Sequence, residues 1–446
     1  MMISTATLTT ARSTSNPGKT YQLVKRLAGG GQGEVFLARS ADQEVALKLY
    51  HAHLGGGTNQ DSMLRAMMQR NMASTPEGRR FVWPQDVVKV PEWGRWGYVM
   101  PLVDRRRFLD LGELQARGKS VVMSHRRLAE ACYHLSSSLR HLHAACLCYR
   151  DISRNNILFD PATGELCIID NDNVGVAGDT QCSVEGTPEY MAPEIITGRA
   201  SPSTLTDLHS LAVLLFEIWT WHHPFHGDLE CAVHCWDMHA KQRVYGDQAV
   251  FIFDPENPSN RPSDPDYRSV HRAWKMMPPT LRELFIKAFT AGLREPARRV
   301  TEGQWQQAFL QLFDGHLRCA CGAENLWDPK TVQLECWNCR RKLEIPPRLR
   351  VDTSGAPYYL LLTPGVQLLG HHLKPSGGRQ EPPELLGEVV QNPANPSQWG
   401  LQNRTGQLWT LQQSGGSVQT VPPNRSAPLI RGAKITILNR TCTIDS

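Results

Sequence analysis

Tyr149-Arg150-Asp151-Ile152-Ser153-Arg154-Asn155-Asn156 is the stretch on which the reading of this sequence turns. It follows a segment in which Leu128, Cys132, Leu135, Leu139, Leu142 and Cys146 step three or four residues apart, the spacing of one apolar helix face. Ser124 stands where the N-cap of that helix belongs. Downstream, Asp170-Asn171-Asp172 ends a short apolar strand, Leu166–Ile169. Gly186-Thr187-Pro188-Glu189-Tyr190-Met191-Ala192-Pro193-Glu194 comes next, and Asp207 heads an almost wholly apolar helical run to Trp221. Upstream, Ala28-Gly29-Gly30-Gly31-Gln32-Gly33-Glu34-Val35 lies between two expected strands. Glycines, lacking Cβ atoms, let backbone N–H groups approach a phosphate. Val45-Ala46-Leu47-Lys48 then ends a strand with a lysine placed to neutralise such phosphates.

The composition narrows the classes. The chain has 446 residues, 41% hydrophobic and 20% charged, with a net charge of +5. This is an ordinary globular balance, and it forces no polyanion-binding surface, so nucleic acid is not an expected partner. The longest apolar run, Leu211 to Trp221, is interrupted by Glu217 and too short for a bilayer. Residues 1–20 lack the basic flank and apolar core of a signal peptide. A cytoplasmic protein without a membrane anchor is expected, its 12 cysteines reduced thiols with one metal site among them.

Residues 1–20 read as a disordered leader. Strand patterns at Tyr21–Leu27, Glu34–Ala38, Glu44–Tyr50, Phe81–Val90 and Gly97–Val103, with a helix at Thr58–Met72, make a small antiparallel lobe over 21–103. A helical lobe over 104–314 closes with helices at Leu281–Phe289 and Gly303–Phe313, after a proline-rich irregular stretch at 222–275. A cysteine cluster occupies 315–345. Arg340–Arg350 reads as a basic linker, and 356–446 as an all-β domain of short apolar runs between Pro, Gly and Asn turns. The fold class expected is α+β, bilobal, followed by a small cysteine-rich module and a β sandwich.

From Tyr21 to Phe313 the order, spacing and context of these motifs resemble a eukaryotic-like (Hanks-type) serine/threonine protein kinase. The resemblance implies the following roles. Ala28, Gly30, Gly33 and Val35 form the nucleotide loop, with Ala28 at its first glycine position. Lys48 pairs with the α- and β-phosphates of ATP. Met100 guards the adenine pocket, and Val103 in the hinge bonds the adenine edge. Asp151 is the catalytic base, with Tyr149 in place of the usual histidine. Asn156 and Asp170 hold Mg²⁺, and Asp172 is the alternative ligand. Ser153 stands where a lysine usually contacts the γ-phosphate, with Arg154 as a substitute. Asp207 caps the catalytic loop, Glu194 pairs with Arg299, and Thr187 bonds Asp151. Arg150 would receive a phosphate on Thr180 or Ser183. The usual partner of Lys48 is a glutamate of the following helix. No Glu occurs between Lys48 and Glu77, so Asp61, Gln60 or Gln69 is expected to substitute.

Cys319-Ala-Cys321 and Cys336-Trp-Asn-Cys339 are four thiols in two close pairs, the donor set of a tetrahedral zinc ribbon. Cys231, His234, Cys235 and His239 would share one face if they lie on a helix, a weaker metal motif beside the plainer reading of a packed helix. Pro428–Ile437 resembles the last strands of a forkhead-associated (FHA) sandwich. Gly370-His371-His372 is the nearest match to that family's phosphothreonine pocket and carries no arginine. Kinase, zinc ribbon and FHA-like tail together resemble kinases of tellurium-resistance-type modules. That implies a partner phosphatase and a von Willebrand factor A protein. The expected activity is transfer of the ATP γ-phosphate to Ser or Thr hydroxyls of proteins, including the chain itself. The alternative is a pseudokinase scaffold.

Overall fold

The computed structural model describes residues 9–445 apart from 42, 55–57, 119–122, 179–185, 264, 376–381 and 393. Two units are distinguished. One comprises Met1–Val122, Ser138–Leu214 and Cys235–Ala249. The other comprises Met123–Ser137, Leu215–His234 and Val250–Ser446.

The first unit contains a closed six-stranded antiparallel barrel in the order β1-β2-β3-β4-β6-β5. Its strands are β1 (Thr10–Ser13), β2 (Thr20–Gly29), β3 (Gly33–Ser40), β4 (Gln43–Tyr50), β5 (Asp86–Val90) and β6 (Arg95–Met100). Helix α1 is Thr58–Gln69. The sixth strand corrects the expectation of a disordered leader: β1 pairs with both β2 and β5 and closes the barrel. Its segment Thr-Ala-Arg-Ser hides the strand because the two residues it buries, Ala11 and Ser13, are small and one of them is polar. Ser13 Oγ donates to Asp86 Oδ1 (2.9 Å), and Tyr21 OH donates to Asp86 Oδ2 (2.8 Å). On β4 the two-residue period sorts the side chains. Val45, Leu47 and Leu49 enter one core cluster, while Ala46 and Tyr50 enter the other, so Lys48 lies on the second face. Gly33 has a packing reason to be glycine, since a Cβ there would collide with the Leu49 carbonyl.

In the second unit, Phe216, Phe251, Phe285, Phe289 and Trp305 form an aromatic core with ring centroids 4.9–6.1 Å apart in the contacting pairs. The closing helices are Pro279–Phe289 and Glu302–Asp314, the latter started by a Thr301–Gln304 capping box. Two hairpins follow, His316–Arg318 with Glu324–Leu326 and Leu334–Glu335 with Lys342–Leu343. The final domain contains a six-stranded sheet and a four-stranded one.

Two boundaries move. Arg348–Val351, expected in a linker, is a central strand paired with Tyr358–Leu361 on one side and Arg440–Asp445 on the other. Leu349 and Val351 are buried while the alternating arginines carry the other face, so the basic composition masked a period of two. Cys146, expected on an apolar helix face, is exposed. The helix stops at Ala144, and Cys146 takes φ of 58°.

Candidate active site and metal centre

The residues singled out in the sequence converge in the first unit. Asp151 and Asn156 are joined by the Asn156 amide, whose Nδ2 donates to Asp151 Oδ2 (3.0 Å) and to its carbonyl (2.9 Å). The Ile169 N–H donates to the Asn156 carbonyl (2.9 Å), bringing the strand that ends at Asp170 against this loop. Lys48 Nζ reaches Asp170 Oδ1 at 3.3 Å. Thr187 Oγ1 donates to Asp151 Oδ1 at 2.8 Å.

The loop holding Asp151 is fixed from beneath. Asp207 accepts the backbone N–H groups of Tyr149 (2.5 Å, Oδ2) and Arg150 (3.0 Å, Oδ1), as well as His143 Nε2 (3.0 Å). Tyr149 is fully buried, and its hydroxyl donates to the Ile169 carbonyl. Tyr149 therefore ties the loop holding Asp151 to the strand before Asp170. Ser153 is buried. Arg154 extends to Gln115 Oε1 (3.3 Å).

The glycine-rich loop is the β2–β3 turn, where the Gly30 N–H donates to the Gly33 carbonyl (2.8 Å), and Ala28 pairs with Val35. A Cβ on Gly30 would meet nothing within 4 Å, so this stretch of backbone lies open to a ligand. Val35, Val103, Cys167 and Ile169, all partly buried, pack against the core cluster that contains Ala46 and Met100.

The partner of Lys48 is a correction. Asp61 pairs with Arg65 (2.9 Å) on its own helix. The carboxylate beside Lys48 is instead Asp172, with Oδ1 at 3.0 Å and Oδ2 at 2.9 Å. Tyr50 OH donates to Oδ2 (2.7 Å) and Tyr98 OH to Oδ1 (2.9 Å). Burial alone would push the Lys48 ammonium down, but Asp172 and Asp170 more than offset this and hold it above its ordinary value. Burial also pushes the Asp170 carboxyl up. Lys48 opposes that rise, while Asp172 and Asp151 add to it. Sequence reasoning did not single out Tyr50 or Tyr98. Tyr50 lies two residues from Lys48 on the same strand face, a signal that period two offered. Tyr98 faces Lys48 only through the β4–β6 register, which no local pattern reveals.

For Mg²⁺ the donor set fits. Asp170 has a partly exposed carboxylate, and the Asn156 amide turns its nitrogen to Asp151, leaving its oxygen as a hard donor. Asp172, the alternative ligand, has a fully buried side chain.

The four-cysteine site lies in the second unit, with one pair in the turn of each small hairpin. Cys319 and Cys339 sulfurs are 3.6 Å apart, as are those of Cys321 and Cys336, and all four lie within 4.8 Å of one another. Those separations are too long for disulfides. They suit a zinc tetrahedron, whose edge is about 3.8 Å for Zn–S bonds of about 2.3 Å. The N–H groups of Cys339 and Asn338 aim at Cys336 and bring its thiol down to about 6, toward the thiolate a metal needs. The other cysteine–histidine motif has no continuous helix. One short helix ends at Cys231, and the next begins at Met238 with Asp237 as its N-cap.

His371 and His372 are buried beside Asp314, so the nearest match to a phosphothreonine pocket faces the interior of its own unit. Thr180 and Ser183 lie outside the described residues. Among the described residues no helix is long and apolar enough to cross a membrane.

The family model of the protein kinase domain matches residues 21–265, more than half of the chain. The DNA damage-responsive serine/threonine-protein kinase RqkA of Deinococcus radiodurans is 29% identical over 220 residues, 48% of this chain and 31% of the relative. The serine/threonine-protein kinase PkaB of Streptomyces coelicolor is 27% identical over 224 residues, 47% of this chain and 51% of the relative. The protein kinase gsk3 of Schizosaccharomyces pombe is 25% identical over 267 residues, 58% of this chain and 62% of the relative. The chain thus spans less than two thirds of each of these relatives.

Proposed function

The chain belongs to the protein kinase family, and we propose that it transfers the γ-phosphate of ATP to serine or threonine hydroxyls of proteins, itself included. The observation that carries this reading is the hydrogen bond from Thr187 Oγ1 to Asp151 Oδ1. A threonine hydroxyl already donates to the carboxylate that would orient a nucleophile. In the proposed reaction Asp151 positions the attacking hydroxyl and accepts its proton as the hydroxyl oxygen bonds to the γ-phosphorus and the bond from that phosphorus to the β–γ bridging oxygen breaks, releasing ADP. Lys48 neutralises phosphate charge, and the glycine loop offers backbone N–H groups to the same phosphates. Asp170 and Asn156 would hold Mg²⁺, which would supply further charge neutralisation.

The four thiolates would hold a structural zinc. The C-terminal sheets would serve as an FHA-like interaction domain, working with a partner phosphatase and a von Willebrand factor A protein. Co-purification with those two proteins, and its loss when residues 348–445 are removed, tests that part of the proposal.

Incubation with labelled ATP and Mg²⁺ tests the activity. Asp151→Ala should lower incorporation by about 10²–10⁴-fold while nucleotide affinity stays near wild type. Equal labelling of wild type and variant overturns the role of Asp151. A wild type that binds ATP and labels nothing is the scaffold.

A further inference from the structure

We propose that Asp172 is the residue that positions Lys48, taking the part that a carboxylate of the helix after β4 would otherwise play. The proposal rests on the kinase reading above and deepens it.

Helix α1 has no carboxylate to give. Its Asp61 is committed to Arg65, whose guanidinium also donates to Ser15 Oγ (2.8 Å) and Thr14 Oγ1 (2.6 Å). Asp172 stands in its place from the opposite direction, on the single 3₁₀ turn Asn171–Asn173. Four hydrogen bonds converge on its carboxylate, two from Lys48 and one each from Tyr50 and Tyr98. A carboxylate offers about four lone-pair sites, so Asp172 is saturated by protein donors. With a fully buried side chain, it has neither exposure nor an unused oxygen for a metal ion. Asp170, two residues earlier and partly exposed, is the member of the pair that faces outward.

Burying a charge costs several kcal/mol unless it is matched and hydrogen-bonded. Here the ion pair and two tyrosine hydroxyls match it, and the hydroxyls fix the carboxylate's rotation. Lys48 is consequently aimed by β4, β6 and the 3₁₀ turn, without a swing of α1. That turn also begins from Asp170, whose backbone is held in the left-handed region at φ 58°. One turn therefore sets both the phosphate-binding lysine and the proposed metal ligand. Helix α1 keeps an indirect link, the hydrogen bond between Gln60 and the Tyr50 side chain. Gln32 of the nucleotide loop completes the arrangement, accepting from Lys48 (3.2 Å) and donating to Asn173 Oδ1 (3.3 Å). The glycine loop is thus tied to the same turn.

The test measures affinity for a fluorescent ATP analogue on the full chain, in EDTA and again in Mg²⁺. It does not require phosphoryl transfer, so a wild type that binds but labels nothing would refute the transfer reading and leave this comparison intact. Asp172→Asn keeps the shape and removes the charge. It should weaken binding tenfold or more in both conditions, and add no further loss in a Lys48→Ala background, because it acts through that lysine. Unchanged affinity overturns the proposal. So does a loss confined to Mg²⁺, which would make Asp172 a metal ligand, or a full additional loss in the Lys48→Ala background. If Asp172→Asn fails to fold, Tyr98→Phe removes one tether and keeps the ring. It should weaken binding in EDTA by a smaller factor, and an unchanged affinity there would count against the proposal equally.

Discussion

Asp207 holds the backbone of Arg150, the residue immediately before Asp151, accepting its N–H at 3.0 Å. The bond from the Tyr149 N–H to the other carboxylate oxygen makes this a two-point clamp on buried backbone. Asp207→Ala leaves two N–H groups without that acceptor, at about 1–3 kcal/mol each. The expected outcome is a loss of about 2–6 kcal/mol in urea unfolding, with turnover falling more than nucleotide affinity. Stability within 0.5 kcal/mol of wild type, as is usual for surface substitutions, would remove the clamp from the account.

The cysteine site predicts about one zinc per chain by elemental analysis. Cys336→Ser should lose it, and residues 316–343 should then become sensitive to protease, since hairpins this short have little core of their own. Labelling by ATP should persist. Full zinc in that variant would return attention to Cys231, His234, Cys235 and His239.

Lys48, Asp151, Asn156 and Asp170 stand out in the sequence because each sits in a local string whose neighbours announce it, and the structure brings them together. Asp172 was legible only as a spare metal ligand. Its bonding depends on Tyr98 standing opposite Lys48 across β4 and β6, and register is a tertiary property. β1 escaped notice for a different reason, since its buried Ser13 is satisfied by Asp86 rather than by an apolar neighbour. The break after Cys231 was readable in part. Asp237 has the chemistry of an N-cap, and its side chain accepts the Ala240 N–H at 2.8 Å. The arginines of Arg348–Val351 suggested a solvated linker, whereas Arg348 lies over the Trp327 ring at 5.3 Å. Its charged composition concealed a stacking role.

Acid should weaken the second unit. Burial, with a smaller contribution from His222, brings the His226 imidazole down to about 4. Its ring lies against that of His223, with centroids 4.2 Å apart. In the unfolded chain a histidine takes up its proton near 6.5. Between those values the unfolded state binds the extra proton, so stability falls as pH drops from about 6.5 toward 4. The loss attributable to this residue is about 2–3 kcal/mol, and His125, His222 and His316, all shifted down, add in the same direction. Urea unfolding at pH 7 and pH 5 measures it. His226→Gln should flatten the dependence, and an equally steep profile in that variant would sink the assignment.

Asp314, the last residue of the helix Glu302–Asp314, sits with His371 and His372 in an arrangement that resembles a metal site. The hydrogen bonds argue otherwise. His372 Nδ1 accepts the Leu369 N–H at 2.9 Å, so a neutral ring must carry its proton on Nε2, which lies 3.3 Å from Asp314 Oδ2. A nitrogen that donates a proton has no lone pair for a metal. Tyr358 OH donates to the same carboxylate oxygen. One turn back, Gln311 pairs with the Tyr359 backbone, donating to its carbonyl (2.8 Å) and accepting its N–H (2.9 Å), like one rung of a β ladder. The cluster is therefore a latch holding the C-terminal sheets to the closing helix. Asp314→Ala should remove two bonds to a charged acceptor, each contributing about 1.5–3 kcal/mol. The connection at 340–347 should then be cut by protease at least tenfold faster, with zinc still at about one per chain. Two zinc ions per chain in wild type, falling to one in Asp314→Ala, would show that the histidines bind metal after all.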